Sequence, residues 1–287
     1  MDKDGNVHES ANRRVFYDFT MSPPKSVSIA ALVGNDQRII EAHDEAVQVA
    51  MRELQIYAAT RVRKQNQYAH RVTGNVVGAV FRHDTSRALD PHLHSHCILF
   101  NATRDSVEDR WKALEACEMV TAQKFVRNVY YHELIRSLKK FGYGVENNPR
   151  GDFEIAGVSK ELIDRFSKRH RQIDEKTREL LEREPDKANQ NIKVIRANIA
   201  YKERARKIKD VGIVKLQSIW NKQLSWKERW QISRLDKHHS AEISQKMTAE
   251  QAVGCKYQRL RKCRRRSSRR ACRHKIPAHC AGSASSQ

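Results

Sequence analysis

Residues 81 to 101 read FRHDTSRALDPHLHSHCILFN, with histidines at His83, His92, His94 and His96. No other stretch restricts the fold as much. The end of it, Ser95 to Asn101, is short, apolar and β-prone, and reads as a strand. Alternate side chains of a strand share a face, so His94 and His96 point one way and Ser95 the other. Val76 to Phe81 reads as an earlier strand, following Gly74 and Asn75 and ending just before His83. The stretch from Asp84 to Pro91 is long enough to return the chain antiparallel, which brings His83 beside the His94/His96 pair. Three imidazoles then converge. Neutral imidazole is a common ligand of divalent transition metals, and three protein ligands leave positions open for substrate. Such an ion beside a basic surface can polarise a phosphate oxygen. Pro91 puts His92 in the loop, as an outer-shell or DNA-contacting residue.

The chain is basic: 55 Lys and Arg against 34 Asp and Glu. A block from Lys256 to Lys275 carries 11 of the excess of 21 positive charges and no acid. The remainder is still basic, and a balance of this kind favours a polyanionic partner, nucleic acid first and a membrane surface second. No run of apolar residues is long enough to span a bilayer. The beginning, MDKDGNVHES, lacks the apolar stretch of a secretory signal. The six cysteines do not form the dense framework of a small secreted domain, so the expected setting is cytoplasmic. Four of them (Cys255, Cys263, Cys272, Cys280) lie in the basic end, without the tight spacing of a zinc knuckle. That end, 251–287, is expected to be disordered.

Upstream, the pattern mixes helix and strand. Val15 to Thr20 alternates as a strand, and two prolines in Met21 to Lys25 make a loop. Ser26 to Leu32 is short and apolar. Asn35 and Asp36 are placed to cap a helix running to about Val62. Ala122 to Phe141 is an amphipathic helix stopped at Gly142. Asp152 to Ile155 reads as a short strand, and Ser159 caps a helix from Lys160 to about Lys168. Residues 171–250 are charged and helix-prone, with Trp220, Trp226 and Trp230 as packing anchors. The expected division is a core over 1–170, a helical lobe over 171–250 and the tail.

At these residues the sequence resembles a known family. Phe81 to His96 is similar to the three-histidine motif of MobF-type conjugative relaxases, the TrwC/TraI group of the HUH endonuclease superfamily. Residues 17–28, YDFTMSPPKSVS, resemble that family's aspartate motif, and a weaker likeness lies in LKKFGYG (138–144) followed by GDFEIAGVS (151–159). The resemblance implies an α+β fold, a palm-like antiparallel sheet with flanking helices. It implies that His83, His94 and His96 hold a divalent metal ion (Mg, Mn or Zn), and that Asp18 hydrogen-bonds a ligating histidine and helps to deprotonate the nucleophile. Lys25 and Arg87 would contact phosphates. The implied partner is single-stranded DNA at an origin of transfer, together with other relaxosome or conjugation proteins. The implied reaction is a transesterification in which a tyrosine hydroxyl attacks one phosphodiester.

The chain departs from the family pattern in one respect. The family's nucleophilic tyrosines lie well upstream of the aspartate motif, whereas only 17 residues precede Asp18 here. They include a single tyrosine, Tyr17, and alternation points it away from Asp18. Tyr130 and Tyr131 fall on an amphipathic helix and are expected to pack. The expectation is a relaxase core truncated at its N-terminus, without a helicase region, that binds metal and DNA but does not nick by itself. Two other readings use the same residues: a non-catalytic basic nucleic-acid binder, and a zinc hydrolase with Asp18 as its base.

Overall fold

The computed structural model describes residues 14–64, 67–148, 151–184, 191–202 and 211–237. The chain divides into two units, Met1–Ala241 and Glu242–Gln287. The second unit, with the expected disordered tail and its cysteines, lies outside the described residues.

The site rests on a three-stranded antiparallel sheet. Its strands are β1 (Phe16–Met21), β4 (Gly78–Thr85) and β5 (Pro91–Phe100), in the order β1-β5-β4. In β5 the alternation is strict. Leu93, Ser95, Cys97 and Leu99 are buried, while His92, His94, His96 and Ile98 are only partly covered. Phe19 and Met21 of β1 join the buried face.

That face packs on helices. Residues 25–32 form α1 (Lys25–Leu32), in which Ser26 to Leu32 are all buried, as an apolar segment inside a core should be. Next comes α2 (Gln37–Gln55), whose N-cap Asp36 accepts a hydrogen bond from the Arg38 amide, as its position foretells. Its stripe of Ile39, Ala42, Ala46, Val47, Ala50 and Leu54 is buried. The long helix α3 (Cys117–Lys140) lies against α2 and ends at Phe141, followed by Gly142 at φ +93°.

The helix expected to reach Val62 instead stops at Gln55. Residues beyond it form β2 (Ala59–Lys64), antiparallel both to β3 (Gln67–Val72) and to β8 (Leu114–Glu115). In β2, Thr60 and Val62 are buried while Arg61 and Arg63 are exposed. That period of two competes with the helical reading, and cross-strand pairing decides it. β5 likewise starts earlier than expected, at Pro91, because proline is tolerated as a strand's first residue. Two short hairpins complete the strands: β6 (Thr103–Asp105) with β7 (Arg110–Lys112), and β9 (Val145–Asn147) with β10 (Phe153–Ile155).

Among the described residues five further helices follow: α4 (Lys160–Arg165), capped by Ser159, α5 (Lys168–Arg183), α6 (Ile192–Lys202), α7 (Ile213–Lys222) and α8 (Trp226–Ile232). Of the three expected tryptophan anchors only Trp220 is one. It is fully buried and joins the main core with Leu216, Leu224, Ile232 and Leu235. Trp226 and Trp230 are 72% and 58% exposed, and Arg234 stacks over the Trp230 ring instead. Trp226 and Trp230 are four residues apart on one face of α8, while Ile232 takes the buried position. Among the described residues no helix is long and apolar enough to cross a membrane.

The buried His43 has a measurable consequence for stability. His43 of α2 is fully buried, and burial pushes its pKa down to about 3, helped by the nearby Arg82 and His94. In the unfolded chain an imidazole titrates near 6.5. The unfolded state therefore binds the proton more readily between those values, and stability falls as pH drops below about 6.5. At about 1.4 kcal/mol per pKa unit, the loss amounts to a few kcal/mol by the lower limit. The urea midpoint is expected to fall steadily from pH 7 to pH 5, and His43→Gln to flatten that slope. An unchanged slope in the variant would assign the pH dependence elsewhere.

Candidate metal centre and cleft

β5 supplies His94 and His96, and β4 supplies His83, which pairs with His94 across the strands. The register shifts between His83 and Thr85, and such a bulge re-aims the side chains beside it. Ring centroids are 5.4 Å apart for His83–His94, 5.6 Å for His83–His96 and 5.2 Å for His94–His96. Three imidazoles on one tetrahedral ion, each bonded at about 2 Å, would place their centroids roughly 5 Å apart. The spacing fits. As the side chains stand, no set of three or more His, Cys, Asp or Glu among the described residues is arranged to hold an ion. The backbone brings the rings to this spacing, and their rotations decide where the nitrogens point.

Two of those rotations are already restrained. His96 Nδ1 lies 2.8 Å from Asp18 Oδ2 and 3.2 Å from Thr20 Oγ1. His94 Nδ1 lies 2.9 Å from the His92 carbonyl oxygen. A carboxylate and a carbonyl only accept, so the proton of each neutral ring sits on Nδ1 and the lone pair on Nε2. This is the tautomer in which an outer carboxylate supports a ligating histidine. Burial lowers the pKa of His94, with His96 and His83 adding to it, which keeps the ring neutral and able to donate its lone pair.

His92 departs from its expected place. It lies on β5, not in the loop, and stacks on His94 with centroids 4.4 Å apart. Burial pushes its pKa down to about 3, with His94, Lys25 and His96 contributing. Lys25, at the start of α1, donates to the Pro91 carbonyl at 2.9 Å and thereby braces the first residue of β5. Burial lowers its pKa, while Asp90 and Glu154 pull the other way.

These residues line a cleft of about 570 Å³. Its floor holds His83, His92, His94 and His96, and Arg87 stands on its rim in the turn between β4 and β5. The opposite wall comes from Ser167, Arg169 and His170 around the start of α5. Sequence reasoning missed this wall, because a basic run in a charged helical region carries no distinguishing pattern. What holds it there is Asp90. Its carboxylate accepts from the Lys168 amide at 2.8 Å and pairs with the Lys168 ammonium at 3.2 Å. Asp18 is on the cleft face of the sheet, and Tyr17 is on the other, its hydroxyl 3.4 Å from the Leu114 carbonyl. Tyr130 is fully buried, as expected of a packing residue. Among the described residues, no tyrosine lines the cleft. A basic, partly apolar cleft with four imidazoles on its floor is suited to positioning a phosphodiester.

The TrwC relaxase family profile matches residues 2–226. The multifunctional conjugation protein TraI of Escherichia coli (strain K12) is 38% identical over 59% of this chain, and the match covers 10% of that protein. The chain thus spans about a tenth of the length of the curated relatives it matches. Among solved structures, a copper-bound complex of the conjugative relaxase TrwC with oriT DNA is 34% identical, with a TM-score of 0.67 over 80% of this chain and 77% of that one. A TrwC complex with a 27-mer DNA comprising the recognition hairpin and the cleavage site is 33% identical, with a TM-score of 0.67 and coverage of 80% and 79%.

Proposed function

Because the chain belongs to the TrwC relaxase family, we propose that it is the DNA-processing domain of a conjugative transfer system, binding single-stranded DNA at an origin of transfer together with a divalent metal ion. The observation that carries this reading is the set of three imidazoles 5.2 to 5.6 Å apart on the floor of a basic cleft, with Asp18 behind His96. His83, His94 and His96 would hold the ion, and Asp18 and the His92 carbonyl would keep two of the rings in the ligating tautomer. When bound, the ion supplies Lewis acidity toward a phosphodiester oxygen. Arg87, Arg169 and His92 line the path of the strand, and Lys25 fixes the start of β5 beneath it. The same reading puts the protein in the cytoplasm, in company with other relaxosome proteins.

An all-imidazole donor set suits zinc and copper better than magnesium, which prefers oxygen ligands. Affinity is therefore expected to rank Cu²⁺ and Zn²⁺ above Mn²⁺, and Mn²⁺ above Mg²⁺. Calorimetric titration checks this, and Mg²⁺ binding as tight as Zn²⁺ would reject the three-histidine donor set.

The function is tested with a labelled origin oligonucleotide. Binding should weaken steeply with salt, as phosphate neutralisation requires. We expect no denaturant-resistant protein–DNA adduct from this chain alone, because the described hydroxyls lining the cleft are those of Thr85, Ser86 and Ser167, and none is a phenol. An adduct would show that this chain nicks by itself. Failure to bind single-stranded DNA at low salt would remove the functional reading.

A further inference from the structure

The strand that carries His94 and His96 is held from behind by a hydrogen-bonded set of residues on its buried face. Ser95 lies between the two histidines and points into the core, where it is 0% exposed. Its Oγ is 2.8 Å from His43 Nε2, and His43 Nδ1 is 2.7 Å from the Tyr130 hydroxyl. The three residues come from β5, α2 and α3. All are buried, and the His43 and Tyr130 rings meet edge to face, with centroids 5.6 Å apart.

We propose that Ser95, His43 and Tyr130 are positioning residues for the metal centre, locking the register and rotation of β5 so that His94 and His96 face the cleft at ligating distance from His83. Three arguments support this. The other buried-face positions of β5 are Pro91, Leu93, Cys97 and Leu99, so Ser95 is the one side-chain hydroxyl among them, and its Oγ meets His43. A strand slipped by one residue would turn both histidines into the core and Ser95 to solvent. Buried polar groups cost free energy unless paired, and a slip of β5 would take Ser95 away from His43 Nε2 and leave that buried nitrogen without its partner. The chain of contacts also reaches two helices at once, so it fixes the strand against the body of the domain and not against one neighbour. The inference rests on His83, His94 and His96 holding a metal, and the experiment separates the two.

The test uses the full chain and Co²⁺ as the probe, read by its visible absorption bands and by affinity. Ser95→Ala removes one hydroxyl with little change in volume. It should weaken Co²⁺ binding by about 10-fold, the lower end for loss of an outer support, and alter the band shape. Tyr130→Phe, at the far end of the set, should shift both in the same direction but less. Ser95→Thr, which restores a hydroxyl, should recover the bands. Leu138→Ala, a fully buried α3 position away from the set, should lower stability yet leave affinity and bands as in the native protein. Native affinity and bands in both Ser95→Ala and Tyr130→Phe would overturn the proposal, as would an equal shift in Leu138→Ala. If Ser95→Ala does not fold, Tyr130→Phe against Leu138→Ala decides alone. No Co²⁺ bands in the native chain would overturn the metal assignment itself, and this inference with it.

Discussion

Replacing His94 with alanine is expected to lower Zn²⁺ affinity by more than roughly 100-fold. Loss of an outer-shell partner alone costs about 10- to 100-fold, and His94 is proposed as a direct ligand. It is central to the cluster, with its ring 5.4 Å from that of His83 and 5.2 Å from that of His96. Two imidazoles left on neighbouring strands make a poor site. Asp18→Asn is expected to fall in the smaller range, because an amide oxygen still accepts from His96 Nδ1 but carries no charge. DNA affinity at low salt should change only a few-fold in either variant, since on the proposed reading many Lys and Arg contacts would supply most of it. Calorimetry gives the metal affinities and filter binding the DNA affinities. If His94→Ala bound zinc like the native chain, the protein would be a basic nucleic-acid binder with no metal centre at these residues.

Trp220→Ala is expected to be the most damaging single change to the fold, at about 3–5 kcal/mol. Whole domains are stable by only about 5–15 kcal/mol, so the variant should be partly unfolded at 37 °C. Trp220 is fully buried, and its indole N–H donates to the Leu89 carbonyl at 2.7 Å. Leu89 sits at φ +58°, in the left-handed region where a branched side chain is strained, so it needs an external hold. The turn it belongs to carries Arg87 and leads into Asp90, which anchors α5. Loss of Trp220 should therefore loosen the rim of the cleft as well as the core. Trp226→Ala provides the contrast: at 72% exposed it should stay within about 0.5 kcal/mol of the native protein. Urea denaturation followed by circular dichroism checks both. Equal, small effects would mean that helix α7 is not part of the cooperative core.

Much of the candidate site was legible in the sequence for a simple reason. Strand alternation is a local rule, so HSH at 94–96 places two rings on one face wherever the strand lies in the fold. The presence of β1 was also expected, but its pairing with β5, which sets Thr20 opposite His96 and Asp18 opposite Ile98, was not. What misled was competition between local signals. Residues 59–64 continue a helical pattern from α2 and also alternate as a strand. Only their partners, β3 and β8, decide in favour of the strand. By its sequence alone Pro91 reads as the end of a loop, which puts His92 off the face it occupies, although a proline can open a strand. Trp226 and Trp230 look like anchors by composition, but α8 turns Ile232 inward and leaves them in solvent.

Residue type and strand alternation alone set the identity of the imidazoles, the shared face of His94 and His96, and the basic balance of the chain. Each depends on residue type or on spacing within one element. Tertiary packing set the rest: the approach of Asp18 to His96, the wall opposite the histidines, the brace of His43 and Tyr130 behind Ser95, and the hold of Trp220 on Leu89. These contacts join residues 52 to 131 positions apart. No local periodicity encodes such meetings, because they arise from how helices and sheet pack once their apolar faces are buried together.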